Sequence, residues 1–247
     1  MKLILFILLF SFPALAKDMS VFSMNLHCGL DDWQTRMNVV VDEIVRLNPD
    51  VIGLQEVCYN DEMNMAKYIS ETLSKKGYPV KSYLTIDTHR SFVRYQEQLL
   101  IISKHASIKA DSGNLPSPPF LRNGYVSFQI GEYRFLTTHL HFALSSFRRS
   151  QYEFIRKKFS DENVIIFGDL NSNPDDSETA VLKKASWVPF FDGPTFPSDN
   201  PTKTFDGFWM TRKFHDEIMA TTIERVFLNQ RSQPSDHLGI HLSILFR

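Results

Sequence analysis

The stretch VIIFGDLN, residues 164–171, decides which fold this sequence predicts. Its first four residues are apolar and mostly β-branched, as in a strand that is buried on both faces. Gly168 ends the run, and Asp169 and Asn171 follow in i, i+2 register, so their side chains point the same way. An α/β fold places its chemistry outside the carboxyl ends of its strands. Taken alone, the stretch also fits a strand that is stopped by an Asx turn.

The same pattern of an apolar run with an abrupt polar end recurs along the chain. The other polar endings are at Asn25, Glu56, His139 and Asp236 with His237. Carboxylate, amide and imidazole groups are the types that bind hard metal ions or transfer protons near neutral pH. Five such endings predict one shared site rather than five unrelated loop caps.

Between these endings the sequence predicts strands that alternate with helices. A strand at 20–25, a helix at 33–47 and a strand at 51–54 come first, and this order predicts parallel strands joined by a right-handed crossover. The later predicted elements are helices at 61–76, 145–159 (capped by Ser145 or Ser146) and within 175–186, strands at 80–86, 98–103, 205–210, 221–228 and 239–246, and a hairpin of 124–130 with 133–138. The proline-containing stretches 111–119 and 190–204 are predicted loops.

Length and composition favour a single globular domain. A chain of 247 residues suits one large α/β domain, and no low-complexity linker, charge block or repeat divides it. Apolar residues make up 43% and charged residues 22%, which argues against disorder. The formal net charge is −1, whereas a nucleic-acid binder that relies on bulk electrostatics would be basic. Any nucleic-acid binding therefore requires a local patch or a metal ion.

Residues 1–16 predict a secretory signal peptide. Lys2 forms a short basic region, residues 3–12 are apolar, and Ala14-Leu15-Ala16 supplies a cleavage signal. The apolar run is too short to span a bilayer, so no transmembrane segment is predicted. We expect residues 17–247 to form the mature domain, exported as a monomer to the periplasm or the medium.

The polar side chains together favour metal-assisted hydrolysis of a phosphoester. Oxygen ligands suit Mg²⁺, with Mn²⁺ or Ca²⁺ as alternatives. The chain has no glycine-rich phosphate loop and no G-x-S-x-G elbow, so a covalent serine or cysteine nucleophile is not indicated. Attack by water on a phosphoester, with a metal ion that offsets the charge, is the chemistry that needs this set of groups.

Five segments resemble, in order, the motifs of the endonuclease/exonuclease/phosphatase superfamily. They are FSMN at 22–25, IGLQEV at 52–57, THL at 138–140, GDLN at 168–171 and SDH at 235–237. The resemblance implies an α/β fold, a four-layer α/β sandwich in which two packed mixed β-sheets are flanked by helices. It also implies that Glu56 is the principal metal ligand, with Asn25 beside it and Asp236 completing the metal shell.

The resemblance further implies the catalytic groups. Asp169 and Asn171 match the pair that orients the attacking water and holds the phosphate. His237 matches the histidine that acts as base or phosphate contact, and Asp206 matches the aspartate that orients it. His139 matches the second active-site histidine. His27 has no partner motif, and we expect it to be a surface or core residue.

A second resemblance concerns the substrate. Residues 95–98, YQEQ, are similar to the Tyr-x-Glu segment of pancreatic-type deoxyribonucleases, which implies that Tyr95 lies against the substrate and that Glu97 pairs with the second histidine. Arg122 corresponds to their phosphate-binding arginine. His141 lies one pleat beyond His139, which predicts a position at the rim of the cleft.

The two cysteines follow Asn25 and Glu56 by three and two residues. We hypothesise a disulfide between Cys28 and Cys58 across the rim of the site, with free buried thiols as the alternative. Cys58 also stands where deoxyribonucleases of this type often carry an arginine for minor-groove contact. Its presence argues against a preference for duplex DNA.

The predicted function is an exported, Mg²⁺-dependent phosphodiesterase with nucleic acid as its substrate. A sphingomyelinase-type phospholipase C, which would act on a phospholipid head group, is the alternative, because residues 138–141 and 235–239 also resemble that branch. A catalytically inactive binding module is the third hypothesis. The intact set of metal and catalytic side chains argues against it.

Overall fold

The computed structural model describes residues 18–28, 32–90, 95–119, 121–230 and 233–247, and the predicted signal peptide lies outside them. In chain order the strands are β1 (Asp18–Asn25), β2 (Val51–Tyr59), β3 (Ser82–Arg90), β4 (Gln96–Ser103), β5 (Lys109–Asn114), β6 (Gly124–Ile130), β7 (Tyr133–His139), β8 (Asn163–Asp169), β9 (Val188–Phe190), β10 (Asp206–Met210), β11 (Ile218–Val226) and β12 (Gly239–Phe246). The helices are α1 (Trp33–Leu47), α2 (Met65–Lys75), α3 (Ser145–Lys158), α4 (Ala180–Lys184) and α5 (Arg212–Asp216), and a 3₁₀ turn at Ser177–Thr179 precedes α4.

The strands form two mixed six-stranded sheets. One has the order β11-β12-β1-β2-β4-β3 and the other the order β5-β6-β7-β8-β10-β9. The only parallel pairs among the described strands are β1 with β2 and β7 with β8, each joined through a helix. Helices α1 and α2 cover the first sheet, and α3 and α4 cover the second. The predicted four-layer α/β sandwich is thus confirmed.

Strand β8 is apolar on both faces because it lies between two cores. Ile165 and Phe167 pack between the two sheets, and Val164 and Ile166 pack under α3 and α4. All seven residues of β8 are buried. At Gly53 on β2 an added Cβ would collide with the Phe167 ring, so the close approach of the sheets requires a glycine there.

The long helices follow the predicted apolar periodicity. Helix α1 has the predicted bounds and buries Met37, Val40 and Ile44 against the first sheet. It ends at Asn48, which adopts the left-handed conformation of a helix C-terminus before Pro49. No helix in the described part of the chain is long and apolar enough to span a membrane.

Several local details differ from the prediction. Part of the predicted loop at 111–119 is strand β5, which pairs with β6 although its sequence, KADSGN, lacks strand formers. Helix α5 was not predicted, because five residues are too few to show a helical period. Helix α3 is capped by neither serine. Leu144 occupies the N-cap position without a side-chain hydrogen bond, and both serines lie within the first turn.

The register of three neighbouring strands brings site residues together. His139 on β7 pairs with Asp169 on β8, and Asp169 pairs with Asp206 on β10. In the other sheet the second strand was predicted to end at Leu54. It instead continues to Tyr59 as β2, and its register with β4 shifts between Leu54 and Val57. Glu56 lies within this irregularity at a φ of 51°, so its side chain leaves the alternation of the strand and reaches the cleft.

Candidate active site

Asp169 lies at the centre of the converging side chains. Its Oδ2 atom accepts a hydrogen bond from the Asn25 amide nitrogen at 3.0 Å and lies 3.4 Å from His139 Nε2 and 3.6 Å from His237 Nε2. Its Oδ1 atom accepts the backbone N–H of Asn171 at 3.0 Å, which is the Asx turn that the local sequence allows. Asp169 is buried, so these contacts determine its orientation.

Asn25 connects the two sheets through their carboxylates. Its side-chain nitrogen donates both to Asp169 and to Glu56 Oε1, the latter at 2.9 Å. Its side-chain oxygen accepts the backbone N–H of His27 at 2.9 Å. One lone pair of that oxygen remains for a metal ion, while the side-chain nitrogen of Asn25 positions the two carboxylates.

His237 and Asp206 form a buried pair. His237 Nδ1 lies 2.9 Å from Asp206 Oδ2, and the Thr195 hydroxyl donates to the same oxygen at 2.6 Å. Burial alone would lower the pKa of His237, but the charges of Asp206 and Asp169 outweigh it and raise that pKa to about 10. The imidazole is thus held at Nδ1, and its Nε2 is turned toward Asp169.

The residues present fit a divalent cation. Ligand atoms of Asp169, Asp206 and His237 all lie within 4.8 Å of one another. The Asp206 Oδ1 atom is buried and has no hydrogen-bond partner among the described residues. Glu56 and Asp236 line the cleft together with Asp169 and His237. Several carboxylates that share one cleft favour a bound cation, and oxygen donors suit Mg²⁺, Mn²⁺ or Ca²⁺.

Asp236 has a partner that sequence reasoning missed. His27 Nδ1 lies 3.0 Å from Asp236 Oδ1, and contact with that carboxylate raises the pKa of His27 against the effect of burial. Burial opposes ionisation of Asp236, but His27 and His237 together outweigh it, so the pKa of Asp236 falls. The signal that could have identified His27 is its position two residues after Asn25, on the same loop.

The lining of the cleft also includes Glu97, Arg122 and His139. Burial and the charge of Glu56 raise the pKa of Glu97 to about 7. His139 Nε2 lies next to Asp169, and the charge of His139 acts in the opposite direction on the pKa of Glu97. Arg122 is exposed at the edge of the cleft, where a substrate phosphate can reach it.

Two predicted substrate contacts lie elsewhere. His141 is buried rather than at the rim, because β7 ends at His139 and the strand alternation does not extend beyond it. Its Nδ1 accepts the backbone N–H groups of Ala143 and Leu144. Tyr95 packs on the hydrophobic core under α1 and α2 and is not part of the cleft lining.

The cleft has a volume of about 280 Å³, and a disulfide lies beside it. Cys28 and Cys58 are bonded, with Cα atoms 5.6 Å apart. The backbone N–H of Cys28 donates to Glu56 Oε2 at 3.1 Å. The hypothesised disulfide therefore holds the loop that orients Glu56.

Comparison with known proteins identifies a family. The model of the Endonuclease/Exonuclease/phosphatase family matches residues 22–237, which is most of the chain. Comparison with curated protein sequences gave no significant match.

Solved structures share the fold. An endonuclease/exonuclease/phosphatase family protein from Leptotrichia buccalis is 19% identical, with a TM-score of 0.73 over 92% of this chain and 100% of that one. An endonuclease/exonuclease/phosphatase from Beutenbergia cavernae is 15% identical, with a TM-score of 0.72 over 93% of this chain and 72% of that one. Truncated TDP2 of Caenorhabditis elegans is 21% identical, with a TM-score of 0.62 over 92% of this chain and 97% of that one. At these identities the likeness establishes the fold alone.

Proposed function

The chain belongs to the endonuclease/exonuclease/phosphatase family, and from this premise we propose that it is an exported, Mg²⁺-dependent phosphodiesterase that hydrolyses nucleic acid. The proposal rests chiefly on Asp169, against which two histidines and the amide of Asn25 converge inside one cleft. A carboxylate that faces two imidazoles suits proton transfer from water. The nearby oxygen donors suit a divalent cation.

In this mechanism Glu56 and Asp236, which line the cleft, would hold the cation. A bound divalent ion would offset charge on the phosphoryl oxygens and lower the pKa of water. Asn25 keeps Glu56 and Asp169 in position through its two donated hydrogen bonds. These contacts keep the carboxylates in one arrangement before substrate binds.

The attacking water is aimed by Asp169 of the second sheet and by His237, which lies just before β12 of the first sheet. Asp206 holds His237 Nδ1, so the Nε2 atom and Asp169 face the same point in the cleft. Asp169 accepts the proton of water, and the protonated imidazole donates a hydrogen bond to the phosphoryl group. Asn171 orients Asp169 through its backbone N–H. His139 and Arg122 then balance the negative charge that develops on the phosphoryl group.

An activity panel tests this function. We expect chelator-sensitive hydrolysis of single-stranded DNA or RNA and of bis(p-nitrophenyl) phosphate with Mg²⁺, and a loss of several orders of magnitude in the His237→Ala variant. His215→Ala, which changes a half-exposed histidine outside the cleft lining, is the matched control and should retain activity. Near-normal turnover by the His237 variant would refute its assignment. Absence of hydrolysis across the whole panel would instead favour an inactive binding module.

The phospholipase alternative is supported by one observation. Phe142 and Leu144 are 66% and 50% exposed, and Phe142 lines the cleft, so apolar surface is present near the site. Sphingomyelin vesicles therefore belong in the panel. Release of choline phosphate from these vesicles, with no cleavage of nucleic acid, would replace the nuclease assignment.

Export is supported by the disulfide, because such bonds persist mainly in oxidising compartments. When the full chain is produced in a secreting host, we expect a monomeric product in the exported fraction. Mass spectrometry should show that it begins near Lys17. An intracellular product that retains residues 1–16 would contradict this part of the proposal.

A further inference from the structure

We propose that the exposed ring of Phe142 is a stacking platform for an unpaired nucleobase next to the scissile phosphate. This inference rests on the proposed nuclease function and specifies its substrate as single-stranded nucleic acid or frayed ends. Phe142 is 66% exposed and lines the same cleft as Asp169 and His139. A strand with its phosphate at Asp169 is therefore within reach of the ring.

The ring of Phe142 is already held in place. It stacks on the buried imidazole of His141, with ring centroids 5.4 Å apart and planes 6° from parallel. His141 also stacks with Phe147, at 5.2 Å and 14°. Because Phe142 remains 66% exposed in this arrangement, a planar base can extend the parallel stack.

The loop that carries Phe142 is fastened from several sides. The backbone N–H of His141 donates to Gln151 Oε1 at 2.9 Å, and its Nδ1 accepts two backbone N–H groups of the loop, each at 3.1 Å. Arg148 donates to the carbonyl oxygens of residues 141 and 142 and forms an ion pair with the buried Glu178 at 2.6 Å. A platform that is ordered before binding loses little conformational entropy when a base stacks on it.

The surroundings of Phe142 fit a base better than an acyl chain. The cleft beside it has apolar side chains but also the charged groups of Glu56, Glu97 and Arg122, and an acyl chain in that cleft would take these groups out of water without pairing them. Each base of a single strand has a flat face that stacks on aromatic side chains without sequence preference. A base in a duplex is already stacked, so the platform selects unpaired strands. Cys58 is fully buried in the disulfide and cannot contact a duplex groove.

Two polymers of equal length and charge test the platform. One is a single-stranded thymidine decamer, and the other is a decamer of abasic tetrahydrofuran nucleotides. We expect the wild-type protein to have a kcat/KM at least about tenfold higher for the thymidine polymer, in line with one stacked base. Phe142→Ala should remove that preference by lowering only the thymidine value, and Phe142→Trp should keep or increase it.

Leu144→Ala is the matched control, because Leu144 is an exposed apolar residue of the same loop that does not line the cleft. It should leave both values unchanged, and thermal unfolding should show all variants folded. Equal losses on both polymers in Phe142→Ala, or no loss on either, would overturn the platform while hydrolysis itself stands. If the wild-type protein cleaves neither polymer, the proposed nuclease function is wrong, and the stacking role of Phe142 is refuted together with it.

Discussion

Asp169 and Asp206 are register partners on the adjacent strands β8 and β10, and both carboxylates are buried. Two buried carboxylates at neighbouring positions disfavour each other's charge unless a proton or a cation lies between them. His237 contacts both, with Nδ1 2.9 Å from Asp206 and Nε2 3.6 Å from Asp169. The charge of His237 therefore balances that of the two carboxylates. Replacing Asp169, Asp206 or His237 should lower the catalytic rate more than it lowers the stability of the fold.

Asp206→Asn should lower kcat/KM by about 10²- to 10⁴-fold, because an amide no longer holds the imidazole as an ionised carboxylate does. The enzyme assay on a single-stranded oligonucleotide measures this loss, and circular dichroism checks the fold. Asp175→Asn is the matched control, since the Asp175 side chain is 93% exposed in an ion pair with Lys183. Equal activity of the two variants would show that Asp206 has no catalytic role.

Glu56→Gln should weaken metal binding independently of turnover. A ligand that binds only the folded state raises stability by RT ln(1 + [L]/Kd), about 2.7 kcal/mol at one hundred times Kd. We expect Mg²⁺ to raise the Tm of the wild-type protein, and the same concentration to have a smaller effect on the variant. Glu71→Gln, on the exposed face of α2, should behave as wild type. An unchanged Mg²⁺ response in Glu56→Gln would contradict its role as a ligand.

Removing the disulfide in a Cys28→Ala, Cys58→Ala variant should lower the free energy of unfolding by about 3–4 kcal/mol, given a closed loop of 30 residues. Urea unfolding measures this change. The variant should also need more Mg²⁺ for activity, because the N–H of Cys28 that binds Glu56 is no longer held by the bond. Two titratable thiols in the denatured, unreduced wild-type protein would mean that the bond does not form.

His141 should make stability depend on pH. Burial and the charge of Arg148 lower the pKa of His141 from its usual 6.5, so below pH 6.5 the unfolded chain binds this proton more readily than the folded one. The contribution of neutral His141 to the free energy of unfolding is present above pH 6.5. It is lost as the pH falls toward the pKa that His141 has in the folded protein. Urea unfolding at pH 7.5 and 5.5 should show a greater loss for wild type than for His141→Asn. An equal loss in both proteins would contradict the prediction.

Gly168→Ala should unfold or severely destabilise the protein, by about 3 kcal/mol or more. Gly168 has a φ of 137°, which other residues rarely adopt, and an added Cβ would collide with the carbonyl oxygen of Thr138 on β7. Gly77→Ala is a useful comparison, because it shares a positive φ but meets no atom within 4 Å, so it should cost less. Thermal or urea unfolding compares the two. Similar stabilities would show that the collision is relieved by a shift of β7.

Elements with a strong local period were predictable from sequence. Helix α1, strand β6 and strand β12 have the predicted bounds, because apolar spacing and terminating residues act within each segment. Strand β5 escaped prediction because its hydrogen bonds to β6, rather than its own side chains, make it a strand. The irregularity at Glu56 also escaped, since it arises from pairing with β4.

The sequence by itself determined which side chains could form the site and the order in which strands deliver them. Tertiary structure decided where each side chain points. His27 was expected to have no role in the site and pairs with Asp236. His141 and Tyr95 were expected near the substrate, but His141 is buried and Tyr95 is partly buried against the core under α1 and α2. The reason is physical: strand and helix patterns depend on near neighbours along the chain, whereas the surroundings of a side chain depend on strand register and sheet packing between residues far apart in sequence.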